Sequence, residues 1–270
     1  MTTEALVVPD GFPLLVQSVD RTLGIDLAPY ASRQLFRRLE AFRLRHGVAD
    51  LRDLARRLPG DPALQQAFAG FLTINVTEFF RNPRQWDALR RLAASLASAG
   101  TGLQVWSAGC SIGAEPYSLA MLLLTTLPGP RHRVLATDID AEALARARAG
   151  RYTPEQVAGV PPELKHRFLR PDGEAFLVSA ALRELVSFRR HDLLRDPPPG
   201  RFDLVLCRNV TIYFNAAGRD RAYRCLSQAL LDGGLLFIGA TESLLNPADY
   251  GLRPLQPGFY RKIGPSLHHF

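Results

Sequence analysis

The chain has 270 residues, of which 47% are hydrophobic and 22% charged, an ordinary globular composition in a chain long enough for one large α/β domain and a small companion. No apolar run approaches the about 20 residues that a membrane span needs, and the start does not resemble a signal peptide, so we expect a cytoplasmic protein without membrane insertion. The three cysteines and six histidines are dispersed, which excludes a disulfide framework and indicates no metal site. Because each cysteine lies in or beside an apolar segment, we expect buried, reduced thiols at Cys110, Cys207 and Cys225.

The charge is basic and unevenly distributed. The formal net charge is +7, and the segment from Arg33 to Arg57 contains eight arginines against three acids. Such a segment favours an acidic partner, either nucleic acid or an acidic protein. The alternative is a solvated face of an amphipathic helix, because these arginines alternate with leucines.

The N-terminal part predicts helices. Between residues 12 and 70, apolar positions recur at helical spacing and are interrupted at His46-Gly47 and Pro59-Gly60, before Asp61-Pro62 begins a further helix. We predict a small all-α domain over residues 1–72. Residues 73–98 are predicted to be a linker with a helix capped by Thr77 or by Asn82-Pro83.

From residue 103 the pattern changes to alternating strands and helices. We predict strands at 103–107, 133–137, 202–207 and 235–239, and helices at 116–127, 141–149 and 219–231. This order predicts parallel βαβ units over residues 99–270, with a last strand near 258–263. The stretch 168–188 breaks the pattern, since its turn at Pro171-Asp172-Gly173 and its alternating apolar residues indicate a small hairpin insertion.

The first chemical motif is a glycine turn between a strand and a helix. Gly109 and Gly113 precede the predicted helix, where glycine lets the backbone approach a ligand closely. Their spacing is not that of a dinucleotide- or triphosphate-binding loop, and Glu115 in the first helical turn favours a cationic amine over a phosphate. Two glycines are also common in a βα turn without a ligand.

Further polar residues follow the other strands. Asp138 stands where nucleoside-binding α/β sheets place their ribose acceptor, whereas Asp140 suits the N-cap of the next helix. The sequence HDLL at 191–194 lies near a strand end and could flank an adenine ring. In the segment CRNVTIYF at 207–214, polar Arg208 and Asn209 follow a strand, and Tyr213 is either a buried structural tyrosine or a site residue.

Taken together, these segments resemble the chemotaxis-receptor glutamate methyltransferase family (CheR). The resemblance covers nearly the whole chain, and its motifs stand in the family's order. They are NVTEFFR at 75–81, WSAGCSIGAEPYSLA at 106–120, ATDID at 136–140, LARARAGRY at 144–152, HDLL at 191–194 and FDLVLCRNVTIYF at 202–214.

The resemblance implies a fold, a cofactor and a partner. The fold is α/β, a class I methyltransferase (Rossmann-like) mostly parallel sheet with helices on both faces, preceded by an all-α domain and carrying a small antiparallel β-subdomain at about 168–188. The cofactor is S-adenosylmethionine, the product S-adenosylhomocysteine, and the acceptor a glutamate of the cytoplasmic helices of chemoreceptors. We expect a monomer that binds no nucleic acid.

The resemblance also assigns residues. The cofactor-binding residues are Asn75, Thr77, Arg81, Gly109, Glu115, Asp138, Asp192, Leu193, Asn209 and Val210, with Glu115 at the amino group and Asp138 at the ribose. Arg81 and Tyr213 orient the acceptor or cofactor carboxylate as catalytic residues. Arg33, Arg37, Arg38 and Arg45 are the candidates for contact with the receptor. No general base is needed, because a glutamate side chain has a reference pKa near 4.3 and is ionised at neutral pH.

The chain departs from the family in three places. Ala114 replaces the first acid of the usual Gly-Glu-Glu-Pro turn, and Asp192 replaces an asparagine. The short loop 171–175 lacks a Gly-x-Gly turn, so we expect binding that does not depend on a C-terminal pentapeptide tether of the receptor. Two alternatives stay open: a degenerate, non-catalytic binding module of the same fold and, less favoured, a nucleic-acid methyltransferase.

Overall fold

A computed structural model describes residues 6–72, 77–96, 102–127, 132–239 and 242–264. The described helices are α1 (Phe12–Leu23), α2 (Arg33–Arg45), α3 (Leu51–Arg57), α4 (Pro62–Leu72), α5 (Pro83–Ala94), α6 (Ala114–Thr126), α7 (Ala141–Ala149), α8 (Pro162–Phe168), α9 (Ala180–Leu185) and α10 (Ala216–Gln228). The strands are β1 (Gln104–Ala108), β2 (Arg133–Asp138), β3 (Arg151–Tyr152), β4 (Leu169–Asp172), β5 (Ala175–Val178), β6 (Val186–Arg190), β7 (Phe202–Cys207), β8 (Leu230–Ile238), β9 (Leu252–Gln256) and β10 (Phe259–Lys262).

The chain divides into two compact units. The smaller unit comprises Met1–Ile74 together with Val210–Arg221, and the larger comprises Asn75–Asn209 and Ala222–Phe270. The segment 210–221 therefore groups with the N-terminal helices, although we predicted it within the methyltransferase domain. In the described part of the chain, no helix is both long and apolar enough to span a bilayer.

The smaller unit is helical, as predicted. The apolar sides of α1 to α4 bury Leu15, Leu39, Leu54 and Phe68 at one core. The predicted N-cap Asp61 is confirmed, since its Oδ1 accepts a hydrogen bond of 2.9 Å from the backbone N–H of Leu64.

Asn215 contributes two hydrogen bonds that join the segment 210–221 to these helices. The backbone N–H of Asn215 donates to Pro29 O at 2.6 Å, and its Nδ2 donates to Ala28 O at 3.0 Å. This segment carries Tyr213 in a short 3₁₀ turn, Thr211–Tyr213.

The larger unit is built on a mostly parallel sheet. Its described strands pair in the order β6-β2-β1-β7-β8-β10-β9, with β10 antiparallel to both of its neighbours. Because β1 lies between β2 and β7, the carboxyl ends of these three parallel strands meet at one edge of the sheet. The predicted class I arrangement is confirmed, and α7 has the predicted bounds.

A small antiparallel sheet is inserted after α7. Strands β3, β5 and β4 form it, with a two-residue turn at Gly173-Glu174 joining β4 to β5. The predicted insertion at 168–188 is right for this hairpin but wrong after residue 178. There, α9 and β6 follow, and β6 pairs in parallel with β2 as an edge strand of the main sheet.

Other boundaries differ from the predictions. The helix predicted over 219–231 ends at Gln228, because Leu230 already pairs with Phe202 in the main sheet. Strand β9 was not predicted. Helix α5 begins at Pro83 as expected, but Asn82 has φ 62° and its side chain makes no capping hydrogen bond.

Candidate active site

The turn after β1 contains three residues in the left-handed backbone conformation. Gly109, Ser111 and Gly113 have φ values of 75°, 49° and 91°. The N–H groups of Gly109 and Cys110 both donate to Thr137 O, at 2.8 and 2.9 Å, so the turn lies against the end of β2. A Cβ at Gly113 would come within 2.9 Å of both Ala147 Cβ and Tyr152 Oη. Glycine is therefore required at 113 by packing against α7 and β3.

Asp138 ends β2 with a carboxylate held by two backbone amides. Its Oδ2 accepts from Ser111 N–H at 2.7 Å, and its Oδ1 accepts from Asp140 N–H at 3.0 Å. Burial raises the pKa of Asp138, and these amides oppose that rise. Asp140 caps α7, as predicted, because its Oδ1 accepts from the N–H groups of Glu142 and Ala143.

Glu115, at the N-terminal end of α6, is a nearly buried carboxylate between a hydroxyl and a guanidinium. Ser107 Oγ donates to its Oε1 at 2.8 Å, and Arg208 Nη1 donates to its Oε2 at 3.3 Å. Burial raises the pKa of Glu115, and the charge of Arg208 is the strongest influence that lowers it. Arg208 thus supports the charged form of Glu115.

Arg208 also holds the segment that precedes α5. Its Nη2 donates to Arg81 O at 2.8 Å, to Asn82 Oδ1 at 3.2 Å and to Gln85 Oε1 at 3.0 Å. The guanidinium carbon lies 4.9 Å from the Phe237 ring centroid, a cation–π contact. Asn82, predicted as a helix cap, instead gives its side-chain oxygen to this arginine.

The residues of the segment 75–81 are only partly described. Asn75, predicted to bind the cofactor, lies outside the described residues, while Thr77 and Arg81 are half-buried. The segment is anchored by hydrogen bonds from Phe79 N–H to Gln156 O and from Phe80 N–H to Ser118 Oγ.

The HDLL segment follows β6, next to Asp138. The N–H of His191 donates to Asp138 O at 3.0 Å. The Oδ1 of Asp192 accepts from Leu194 N–H at 2.9 Å, and burial raises the pKa of Asp192. An asparagine could make the same turn, because only a side-chain oxygen accepts there.

Asn209 and Val210 follow β7. Asn209 has φ 60°, and its N–H donates to Glu242 Oε2 at 2.6 Å. Asp138, Asp192 and Asn209 therefore all follow parallel strands of the main sheet, at the edge where such sheets bind ligands.

The smaller unit contains a separate small pocket. It is lined by Tyr30, Ser32, Gln34, Leu35, Arg38, Leu72 and Tyr213. The guanidinium of Arg38 lies 4.6 Å from the Phe71 ring centroid and donates to Phe71 O. Burial lowers the pKa of Arg38, and Tyr213 acts on it in the opposite direction.

The other arginines of this region fall into two groups. The first group forms ion pairs: Arg43 with Glu40, Arg52 with Asp10, and both Arg56 and Arg57 with Asp53. Arg33, Arg37 and Arg45 are exposed on α2.

The sequence matches two family models. Residues 10–73 match "CheR methyltransferase, all-alpha domain", and residues 75–256 match "CheR methyltransferase, SAM binding domain". The chain belongs to the CheR methyltransferase family. A relative named Chemotaxis protein methyltransferase, from Listeria monocytogenes, is 41% identical over 246 residues, covering 90% of this chain and 94% of the relative. Another of that name, from Escherichia coli strain K12, is 36% identical over 255 residues, covering 89% and 87%.

As a CheR methyltransferase, the protein uses S-adenosylmethionine, and the larger unit fits this cofactor. An ionised carboxylate has about four lone-pair sites, so the backbone amides that Asp138 accepts leave room for a ribose hydroxyl. Glu115, supported as an anion by Arg208, suits a cationic amino group.

The sequence analysis assigned no role to Arg208 or Glu242, although both hold segments that carry predicted site residues. Arg208 was noted as a polar residue after β7 but received no role, and Glu242 was not considered. For Arg208, a charged residue directly after an apolar strand was the available signal. All three cysteines are free and buried, as predicted.

Proposed function

We propose that this CheR protein transfers the methyl group of S-adenosylmethionine to glutamate side chains on the cytoplasmic helices of chemoreceptors. The products are glutamate methyl esters, formed in chemosensory adaptation, and S-adenosylhomocysteine. The observation that carries the proposal is the pocket of the smaller unit, which both Arg38 and Tyr213 line.

The cofactor would be held by the residues that the resemblance to the family assigns to it. Asp138 binds the ribose hydroxyls, and Glu115 binds the amino group of the methionyl part. The remaining contacts are assigned to Asn75, Thr77, Arg81, Gly109, Asp192, Leu193, Asn209 and Val210. The positions of Asp138, Asp192 and Asn209 after parallel strands support this assignment.

Arg38 and Tyr213 would orient the acceptor carboxylate. A guanidinium offers five N–H donors in a planar fork that matches a carboxylate. The stacking of Arg38 on Phe71 and its bond to Phe71 O fix the plane of that fork. Arg81 remains assigned to the acceptor or cofactor carboxylate.

The exposed arginines of α2 would attract the receptor before docking. Arg37 and Arg45 have no hydrogen-bond or ion-pair partner among the residues that the structure describes. They are available to acidic side chains, which raises the rate of encounter more than the final affinity.

The chemistry requires positioning more than proton transfer. When bound, the cofactor supplies a methyl group on a sulfonium, which an ionised carboxylate can accept directly. The residues of this chain hold the carboxylate and the cofactor in place and exclude water, which accounts for large rate effects without a base.

The proposal is tested with tritiated cofactor and a receptor cytoplasmic fragment. Methyl esters release methanol in base, whereas N-methyl products do not, so base-labile tritium identifies the bond formed. We expect Arg38→Met to lower kcat/KM for the fragment by about 10- to 100-fold, the size expected for lost charged hydrogen bonds. Arg43→Met, on the same helix and paired with Glu40, is the matched control and should change it less than about threefold.

The outcome also decides between the alternatives. If RNA, rather than the fragment, accepts the label in a base-stable form, the protein is a nucleic-acid methyltransferase. If the cofactor binds but no acceptor is labelled, the non-catalytic reading is correct. The position of Ala114 argues against a non-catalytic protein. Ala114 is fully buried in the core, so the carboxylate proposed for the cofactor's amino group comes from Glu115 instead.

We further propose that the receptor binds without a C-terminal tether peptide. The two-residue turn makes Asp172 and Ala175 the closing hydrogen-bonded pair, so the nitrogen of Pro171 faces outward. Proline has no N–H, and the N–H of Leu169 already donates to Lys165 O. The outer edge of β4 therefore offers no N–H to an added strand. A receptor fragment with and without its C-terminal peptide should be methylated at equal rates, and a clear loss on removal would refute this.

A further inference from the structure

Glu242 is a buried acid that has no assigned role in binding the cofactor or the receptor. It follows β8, and its residue exposure is 6%. One oxygen, Oε2, accepts two backbone hydrogen bonds, from Asn209 N–H at 2.6 Å and from Gly239 N–H at 2.8 Å. The N–H of Glu242 donates in turn to Gly239 O at 3.0 Å. Its side chain thus folds back over the end of β8 and reaches Asn209, two residues after Cys207.

The two N–H groups belong to the ends of neighbouring parallel strands. Cys207 of β7 pairs with Ile238 of β8, so Asn209 and Gly239 each lie just beyond that pair. Asn209 has φ 60°, a left-handed conformation that asparagine adopts more readily than most residues with a Cβ but that still has to be fixed by its surroundings. The hydrogen bond to Glu242 gives that support.

Gly239 shows that the approach of Glu242 is built into the fold. A Cβ on Gly239 would lie 2.3 Å from Glu242 Oε2 and 3.3 Å from Asn209 N. The carboxylate occupies the space that any other residue at 239 would fill. A solvent-exposed acid would not require the space that the absence of a Cβ at Gly239 leaves free.

We propose that Glu242 is a positioning residue that holds Asn209 and Val210 in the conformation in which they contact the cofactor. The inference rests on the proposed cofactor role of Asn209 and Val210. Glu242 itself touches backbone amides and acts on the cofactor through them. The negative charge of Glu242 also raises the pKa of Glu115, so the two carboxylates interact electrostatically.

The test compares substitutions at 242 and 239. We expect Glu242→Ala to raise KM for S-adenosylmethionine at least about tenfold, with a smaller fall in kcat, because two buried N–H groups lose their acceptor. Glu242→Gln should stay within about threefold of wild type, because its amide oxygen can accept both bonds. Gly239→Ala should resemble Glu242→Ala, because the added methyl displaces the side chain.

The double variant separates positioning from general damage. In a Glu242→Ala background, Gly239→Ala has no carboxylate to displace, so it should add little to KM, and the two effects should be clearly non-additive. The Tm of each variant is measured alongside. If Glu242→Ala fails to fold, Glu242→Asp replaces it: the charge remains but its reach shortens, and KM should again rise.

Three results would overturn the role of Glu242. They are an unchanged KM with only a lower Tm, an effect of Glu242→Gln as large as that of Glu242→Ala, and additive effects in the double variant. A wild-type protein that fails to bind the cofactor would instead overturn the proposed function.

Discussion

Replacement of Arg208 by methionine should destabilise the protein in a way that depends on pH. The Arg208 side chain is 3% exposed and that of Glu115 is 12% exposed, so the pair is almost fully removed from water. Methionine keeps an apolar stem beside Phe237 but removes every donor. Glu115 would then be a buried carboxylate with only the Ser107 hydroxyl as a partner among the contacts described above.

The magnitude follows from the burial of the pair. Removal of one partner of a buried ion pair costs about 3–5 kcal/mol of unfolding free energy, because the other charge is left uncompensated. Burial already raises the pKa of Glu115 in the folded protein, and loss of Arg208 raises it further. A carboxyl group with a raised folded pKa contributes stability at low pH that is lost as pH rises through that pKa. The deficit of Arg208→Met should therefore be largest above neutral pH and shrink on acidification, by about 1.4 kcal/mol for each unit of further pKa shift.

Urea unfolding of the variant and of wild type, at about pH 5 and about pH 8, measures both effects. Arg151→Met is the matched control, because Arg151 pairs with Asp172 at the surface, with side chains 56% and 50% exposed. Its cost should be about 0.2–1 kcal/mol. The double variant Arg208→Met with Glu115→Gln should lose most of the pH dependence. A deficit below about 1 kcal/mol that is the same at both pH values would refute the role assigned to Arg208.

Three further outcomes test other parts of the site. Asp138→Asn should weaken cofactor binding by about 10- to 100-fold in calorimetry, whereas Asp140→Ala should cost about 1 kcal/mol of stability through its lost cap and leave the affinity unchanged. Equal losses of affinity would contradict the separation of the two acids. Gly113→Ala should lower the Tm strongly, because residue 113 has φ 91° and the added Cβ would clash with Ala147 of α7. An unchanged melting curve would show that α7 can shift to accommodate the methyl group. The kcat profile should fall on the acid side, because protonation of the acceptor glutamate removes the nucleophile. An alkaline limb near pH 8 would indicate a base in the reaction, and Cys110 is not a candidate for it, because burial raises the pKa of its thiol well above the ordinary value.

The parts of the fold that the sequence predicted are those with strong local signals. Helix α7 begins after a capping aspartate and ends at Gly150 with φ 60°, so both ends were readable. Strand β6 was missed because it is an edge strand in which Ser187, Arg189 and Arg190 are exposed, which removes the apolar run expected of a parallel strand. Strand β8 was predicted too short, because Gly233 and Gly234 interrupt it.

The same distinction applies to the site. The positions of Asp138 and Asn209 at the carboxyl edge of the sheet could be predicted, because each stands at or just after the end of an apolar strand; their cofactor contacts stay a proposal. Asp140 could be separated from Asp138 because an N-cap has a fixed offset from its helix. The contacts of Glu242 could not be predicted, because they depend on how the chain turns after β8. The spacing of apolar residues in the sequence does not predict the geometry of that turn.

Arg208 illustrates why residue type matters as much as position. Its donors serve Glu115 on one side and three oxygens of the segment 81–85 on the other. A lysine offers only three donors from a single nitrogen, so it cannot reach both groups from one place. Without the second set of bonds the segment that carries Arg81 loses one of its anchors. Without the first, Glu115 tends to become neutral and no longer attracts an amine. The planar fork of an arginine therefore links two features that the proposed cofactor site needs at once, and a lysine at 208 would preserve the charge but not the link.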